Sequence, residues 1–174
     1  MMTEIDEVVK EEWMEDTDSF DRVKTVLRQT TQHKSANEIS KIAEVSEKTA
    51  KKNLDKLAGL NVAEKISTGN GSLYRRSKDW YLNKEIDRLR EEATIEEIKQ
   101  GIERMNDDIS EYRDKYGVEK PEDLLVQLEP DDGREAWVDL SEWETTEKNL
   151  AIAKAAVRFE EASDFVEPDE AAET

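Results

Sequence analysis

The stretch from Ser35 to Leu57 most constrains the fold, because it predicts two short helices joined by a tight turn. Ser35 and Glu38 have the spacing of a capping box, in which each side chain satisfies a backbone N–H that is otherwise unpaired at a helix start. After a turn at 44–46, Ser46 is placed to cap the second helix. Helical spacing predicts that the buried side of this second helix consists of Ala50, Leu54 and Leu57.

The opposite side of the second helix is cationic and carries hydrogen-bonding side chains. Such a face on the second helix of a pair is what reading DNA in the major groove requires. The alternative is an ordinary helical hairpin with a solvated lysine face. Lysines mostly position a protein on phosphates, so Thr49 and Asn53 are predicted to read bases, and Lys56 to reach a phosphate. The residues predicted to face DNA are Lys48, Thr49, Lys51, Lys52, Asn53 and Lys56.

A β-hairpin is predicted directly after the helix pair. Gly59 is expected to end the second helix in a left-handed conformation. Two strands, 62–66 and 73–76, flank a turn whose tip is Gly69-Asn70-Gly71. With one more helix predicted before Ser35, the order is three helices and a hairpin, which is the order of a winged helix-turn-helix domain. The cations predicted to serve this wing are Arg75, Arg76 and Lys78.

The net charge of −18 is distributed unevenly along the chain. Residues 18–92 contain 16 Lys and Arg against 12 Asp and Glu, whereas residues 1–17 contain 1 against 7 and residues 93–174 contain 9 against 25. The basic charge therefore lies in the segment predicted to bind DNA. The acidic remainder indicates either an interaction surface or adaptation to molar salt in the cytoplasm, and its spread over amphipathic helices favours adaptation.

The most regular apolar pattern begins at a second capping box, Thr94 with Glu97. Large apolar side chains then alternate by three and four residues, which is typical of a coiled-coil-like contact. A later helix from Arg134 has two apolar sides, and it is expected to break near Ser141, which has the spacing of a third capping box with Glu144. It is predicted to pair antiparallel with residues 94–116 and to join a second copy as a homodimer. The alternative is that this hairpin folds back on its own winged domain and the protein stays monomeric. The residues predicted to support dimerisation are Ile95, Ile98, Ile102, Met105, Ile109, Tyr112, Tyr116, Trp143, Leu150 and Val157.

No pattern in the sequence indicates catalysis or a cofactor. The chain has no Cys, which excludes disulfides and thiolate chemistry, and its one histidine, His33, is predicted to be a solvated linker residue rather than a metal ligand or a base. No apolar run reaches membrane-spanning length, and the acidic N-terminus is unlike a signal peptide. We therefore expect a cytoplasmic protein that is not an enzyme and that binds neither a metal nor a membrane.

The sequence resembles haloarchaeal winged helix-turn-helix proteins related to the ArsR and MarR groups of transcription regulators. The resemblance rests on EISKIAEVSEKTAKKNLDKLAGL, on the YRRS return strand of the hairpin, and on EYRDKYGVEKPEDL followed by a Trp-containing helix, and it covers residues 18–165. It implies DNA binding, dimerisation through flanking helices and a halophilic host. The Cys or His ligand sets of metal-sensing ArsR members are absent, so the resemblance implies no metal response.

Together these patterns predict a mainly α protein with a small β-hairpin wing, in which a winged helix-turn-helix domain is followed by long C-terminal antiparallel helices. The predicted parts are an acidic arm or short helix at 1–17, the winged domain at 18–92, a helical dimerisation extension at 93–165 and a disordered acidic tail at 166–174.

The predicted function is transcription regulation by a dimer on double-stranded DNA, with recognition helix 46–58 in the major groove and wing 62–76 on the backbone or minor groove. Two alternatives remain. One is a winged-helix scaffold that binds a protein partner through its acidic helices, and the other is an antitoxin-like or DNA-mimicking partner.

Overall fold

The computed structural model describes residues 18–166, which are mainly helical, as predicted, and which contain the predicted hairpin within a small three-stranded antiparallel sheet. The predictions for 1–17 and for 167–174 lie outside the described residues. The elements in chain order are α1 (Ser19–Gln29), β1 (Lys34–Ser35), α2 (Ala36–Ala43), α3 (Glu47–Gly59), β2 (Ala63–Thr68), β3 (Gly71–Arg76), α4 (Lys78–Glu92), α5 (Ile95–Tyr116), α6 (Pro121–Gln127) and α7 (Arg134–Val166).

The chain forms two compact units, which divide between Tyr81 and Leu82. The division therefore falls inside α4, earlier than the predicted boundary at 92. Its physical basis is that Ile86 and Leu89, in the later part of α4, pack into an apolar cluster with residues of α5 and α7.

In the first unit, α1, α2 and α3 pack around one apolar core. The Asp18 carboxylate caps α1 by accepting a hydrogen bond from the backbone N–H of Asp21 at 2.8 Å. The predicted capping box of Ser35 and Glu38 opens α2. These caps fix where each helix begins and so which residues fall on its inner face. The buried core includes Val23, Leu27, Ile39, Ala43, Ala50, Leu54, Leu57 and Tyr74.

Two local predictions for this unit are wrong. Helix α3 ends at Gly59, as predicted, but Asn61 rather than the glycine takes the left-handed conformation, with φ of 58°. Asparagine tolerates that region better than most residues, because its short side chain can hydrogen-bond locally. Apolar spacing predicts that Ile42 shares the buried side of α2 with Ile39 and Ala43, but Ile42 is exposed, because the inner stripe of this short helix is formed by Ile39 and Ala43.

The sheet has the strand order β1-β3-β2, so β3 is its central strand. β2 and β3 form the predicted hairpin, in which Thr68 lies opposite Gly71 across a loop at 69–70. Gly71 has a φ of 118°, a conformation that L side chains rarely adopt. The sequence pattern does not predict β1, because two residues cannot show an alternation. β1 nevertheless pairs with the Leu73–Tyr74 segment of β3 and so joins the start of α2 to the hairpin.

The second unit is built on an antiparallel pair of long helices, α5 and α7. A capping box of Thr94 and Glu97 begins α5, and Gly117 ends it with φ of 65°, both as the sequence predicts. One apolar cluster joins Ile98 to residues 152–157 and a second joins Ile109 to residues 140–150. The residue numbers therefore run in opposite directions along the two helices, as the apolar spacing predicts. The short helix α6 packs against α7.

Helix α7 runs for 33 residues without interruption, so the predicted break near Ser141 is wrong. The carbonyl of Ser141 accepts a hydrogen bond from the Thr145 hydroxyl at 2.8 Å, as a residue in a helix interior can. Ser141 is therefore not a helix cap.

The residues predicted to join two copies are used within one chain. The narrow apolar side of α5 can be buried by a single helix, and α7 packs against it in this way. Intrachain packing buries Ile98, Ile109, Trp143, Leu150 and Val157. Half-buried against the same clusters are Ile95, Ile102, Met105, Tyr112 and Tyr116. The dimerisation role of the buried five is therefore corrected to a role in the hairpin core, while the dimer itself stays a prediction.

Within residues 18–166, no helix combines the length and the apolar character that crossing a membrane requires.

Trp143 and Trp137 of α7 provide a matched test of the hairpin core. Trp143 is 0% exposed and stacks on Tyr112 with ring centroids 5.7 Å apart, whereas Trp137 is 38% exposed. We expect Trp143→Ala to lower the free energy of unfolding of this unit by about 3–5 kcal/mol, because it leaves a large cavity. Trp137→Ala should cost less than about 1.5 kcal/mol. Urea unfolding followed by circular dichroism measures both, and equal effects would contradict the packing described here.

Candidate nucleic-acid interface

Helix α3 carries most of the predicted interface, and its cap and buried face determine which side points outward. The Ser46 hydroxyl accepts a hydrogen bond from the backbone N–H of Thr49 at 3.1 Å and donates one to the Thr49 hydroxyl at 2.9 Å. Ala50, Leu54 and Leu57 bury the inner side, as predicted. The remaining side of the helix faces solvent.

Four lysines occupy this outer side, and all four are exposed: Lys48, Lys51, Lys52 and Lys56. None makes an ion pair with any residue in 18–166. Lys48, Lys52 and Lys56 are spaced by four residues, so they repel one another along one line, at a cost of about 0.2–0.5 kcal/mol for each adjacent pair. This lysine face (Lys48, Lys51, Lys52 and Lys56) is thus a concentrated positive charge without an ion-pair partner among residues 18–166, although the charge of Lys51 contributes to holding the pKa of Asp55 below its ordinary value.

The surroundings of the lysine face are also basic. From Asp18 to Tyr81 the chain has 13 Lys and Arg against 8 Asp and Glu, a net charge of +5. From Leu82 to Thr174 it has 12 against 29, a net charge of −17. The excess of positive over negative charge therefore lies in residues 18–81, which include α3.

Asn53 does not belong to the outer face, and its prediction as a base-reading residue is wrong. It is only 5% exposed, and its amide nitrogen Nδ2 is buried with no hydrogen-bond partner. The reason is helical geometry, because position 53 lies three residues after Ala50 and one before Leu54, on the inner stripe. The same spacing rule, applied to all residue types, would have found this. Thr49 remains half-buried at the start of the helix.

The predicted wing cations are mostly engaged within the unit. Arg75 lies opposite Glu64 in the hairpin register and forms an ion pair with it at 2.5 Å. The hydrogen bond that the Arg75 side chain donates to the Glu64 carboxylate is the main reason that the pKa of Glu64 is held below its ordinary value. The Arg76 guanidinium lies over the Tyr81 ring at 3.7 Å and donates to the carbonyl of Arg28.

These contacts change the expected role of the hairpin. Arg75 and Arg76 stabilise its base, whereas the Lys78 side chain is exposed and makes no ion pair with residues 18–166. The tip at 69–70 carries no cation. The hairpin therefore contributes less uncompensated positive charge than the sequence suggests, and α3 contributes most of it.

A network centred on Asp55 ties α3 to the hairpin, and the sequence pattern does not predict it. The Asp55 Oδ1 atom accepts hydrogen bonds from Lys65 Nζ and from the Tyr74 hydroxyl, both at 2.7 Å. The bond from Lys65, joined by the one from Tyr74, holds the pKa of Asp55 below its ordinary value. The pKa of Lys65 is raised by the same contact with Asp55. One carboxylate thus links the lysine-bearing helix to both strands.

His33 is not the solvated residue that its position in a polar linker predicts. It is half-buried, and its Nε2 atom is buried without a hydrogen-bond partner. The segment around it is drawn inward because β1, which begins at the next residue, pairs with the central strand. Among the described residues, no group of three or more His, Asp or Glu side chains is placed to hold a metal ion.

Removing the Tyr74 hydroxyl tests the Asp55 network. Tyr74→Phe keeps the buried ring but removes one of two hydrogen bonds that favour the charged carboxylate, so the pKa of Asp55 should rise. A lowered pKa stabilises the fold above the unfolded pKa of an aspartate, and that contribution is lost as the pH falls through the folded value. We therefore expect the variant to be less stable at neutral pH by about 1 kcal/mol, with the difference shrinking in acid.

Carboxyl chemical shifts in an NMR titration measure this effect directly. The carboxylate of Glu38 in the capping box of α2 serves as an internal control, because its lowered pKa depends first on the Ser35 backbone N–H and should not change. An unaltered pKa for Asp55 in the variant would contradict the network.

Comparison with protein families gives one match. A family model described as "Family of unknown function (DUF7342)" matches residues 17–161. Neither a curated protein nor a solved structure matches the chain.

Proposed function

The chain belongs to the DUF7342 family of unknown function, and we propose that it is a DNA-binding transcription regulator that acts as a dimer. The observation that carries the proposal is the lysine face of α3. Four exposed lysines without an ion-pair partner among residues 18–166 stand on one helix of a protein whose net charge is −18. Such a face costs stability by itself and becomes favourable when a polyanion neutralises it.

The arrangement of elements in the first unit supports a winged helix-turn-helix. That fold class has the element order found here, which is α1, β1, α2, α3, β2, β3. It also has a three-stranded sheet in which the second hairpin strand, here β3, is central. In such domains the second helix of the helix-turn-helix lies in the major groove, which here is the segment 46–58. This finer assignment, and its relation to ArsR and MarR regulators, is part of the proposal.

The contacts divide by type. The four lysines of the face position the protein on phosphates, and Thr49 is the remaining candidate for reading a base, since Asn53 is buried. The hairpin at 62–76 lies along the backbone or minor groove, with Lys78 as its available cation. Arg75 and Arg76 support the hairpin from within.

Salt concentration decides how such a site achieves affinity. At 1 M ionic strength the Debye length is about 3 Å, so counterion release contributes little. In a halophilic host, two recognition helices in successive major grooves, about 34 Å apart, would supply affinity through two-site binding. The proposal therefore includes a dimer.

Charge reversal on the lysine face tests DNA binding. We expect Lys51→Glu with Lys52→Glu to abolish duplex binding and to leave the melting temperature within about 3 °C of wild type, because both side chains are exposed and unpaired. Binding is measured on a pool of genomic fragments by fluorescence anisotropy or fragment capture at matched salt.

The matched control reverses two exposed lysines of the second unit. Lys99→Glu with Lys154→Glu makes the same change in net charge but should leave duplex binding unchanged. Equal binding by the Lys51/Lys52 variant and the wild type would show that α3 is not the DNA-facing helix. Equal loss of duplex binding in both double variants would mean that binding depends on the net charge of the protein and not on the lysine face.

Sedimentation equilibrium of the intact chain tests the dimer. The expected result in high salt is twice the chain mass of 20.1 kDa. Because the hairpin core is already satisfied within one chain, a second copy would use apolar side chains that remain exposed on α6 and the first turns of α7, among them Leu125, Val126, Trp137 and Val138. A chain that sediments as a monomer at all concentrations would remove the dimer from the proposal.

These exposed apolar residues also favour the second candidate, a scaffold that binds a protein partner. Leu125 and Val126 are neighbours on α6 and are 47% and 86% exposed, and adjacent exposed apolar side chains are more informative about a contact site than single ones. A scaffold would keep its partner after charge reversal on the lysine face and lose it after Leu125→Ser with Val126→Ser. The opposite dependence is expected of a DNA-binding regulator.

A further inference from the structure

A cleft in the second unit has the size of a small-molecule site. It has a volume of about 340 Å³ and lies among the end of α4, the first half of α5 and the middle of α7. Ligand sites in proteins begin at about 300 Å³ and are mostly apolar with a few polar groups at defined places. The apolar wall of this cleft consists of Leu89, Ala93, Ile98, Met105, Ile152 and Ala153.

Gly101 lines the cleft from the interior of α5. A glycine inside a helix costs about 0.5–1 kcal/mol relative to alanine, so it needs a structural or functional reason. Packing does not supply one here, because a Cβ atom at this position would meet only Arg104 Nη2, at 3.8 Å. The missing side chain instead leaves room in the cleft.

The polar groups that line the cleft differ in whether they already have a hydrogen-bond or ion-pair partner. Glu85 and Arg88 form an ion pair at 2.8 Å. The Glu97 carboxylate is occupied by the backbone N–H and hydroxyl of Thr94 in the capping box. Arg104 and the Asn149 amide make no side-chain hydrogen bond or ion pair with residues 18–166. The mouth therefore offers one unpaired guanidinium and one amide beside an apolar wall.

We infer that this cleft binds a small monocarboxylate with an aliphatic body. The body lies against the apolar wall over Gly101, and the carboxylate accepts hydrogen bonds from Arg104 and Asn149. A guanidinium matches a carboxylate in charge and in planar geometry, which a neutral or cationic head group of the same length does not. The inference does not depend on DNA binding, because every group involved belongs to the second unit.

Titration calorimetry on the full chain tests the ligand class with three probes of one body. Octanoate should bind, and octanol and octylammonium should each bind at least about tenfold more weakly, because a hydroxyl carries no negative charge to pair with the Arg104 guanidinium and an ammonium group is repelled by it. Equal binding of all three would overturn the carboxylate assignment. Absence of octanoate binding at millimolar concentration would overturn the site.

Arg104→Gln isolates the guanidinium. The variant should weaken octanoate binding about tenfold and leave octanol binding unchanged. Lys99→Gln, an equal change of charge on an exposed residue of α5 that does not line the cleft, is the control and should bind octanoate as wild type does. Equal weakening in both variants would reduce the effect to net charge and contradict a specific role for Arg104.

Gly101→Leu isolates the cavity. A leucine side chain would fill the cleft, so octanoate binding should be lost, while the melting temperature should stay equal or rise because leucine favours a helix more than glycine does. Unchanged octanoate binding in this stable variant would overturn the site. If Gly101→Leu instead shifts the sedimentation of the chain toward a smaller species, the occupant of the cleft is a second copy and the inference is wrong.

Discussion

The Asp55 carboxylate holds the surface of the first unit together. Helix α3 carries four exposed lysines that repel one another, and the helix must still keep a fixed orientation to present them. Asp55 meets this need by accepting hydrogen bonds from β2, through Lys65, and from β3, through Tyr74. The neighbouring base of the hairpin is fixed in turn by the pair of Arg75 with Glu64. The cations at the base of the hairpin are thereby used for positioning, whereas the lysine face makes no ion pair among residues 18–166.

Local signals in the sequence predicted the helices of this fold well. Ser35, Ser46 and Thr94 cap helices where the spacing of side chains requires it, because a cap depends on a few neighbouring residues only. The hairpin and the pairing of α5 with α7 follow equally from turn residues and apolar periodicity. The local patterns did not predict β1 or the burial of His33, because both depend on contacts with residues that are distant in sequence. β1 forms only because β3 lies beside it, and His33 is drawn inward for the same reason.

The candidate site was less predictable than the fold. The exposed lysines were found correctly because charged residues opposite an apolar stripe face solvent. Asn53 was assigned by its chemistry rather than by its angle on the helix, which places it inside. Arg75 and Arg76 were assigned to a ligand, yet their partners are Glu64, Tyr81 and a carbonyl of α1. A sequence shows which residues can bind a polyanion but not which of them the protein itself already neutralises.

The length of α7 implies a gradient of local stability along one uninterrupted helix. Its central part, from Leu140 to Val157, is buried against α5 and the short helices, so its amide hydrogens open only with the unit as a whole. The last turns, from Glu161 to Val166, have no buried side chain. Their backbone hydrogen bonds are exposed to water, and they fray independently of the core. Amide exchange should therefore slow by several orders of magnitude from the end of α7 toward its middle, although the helix has no break.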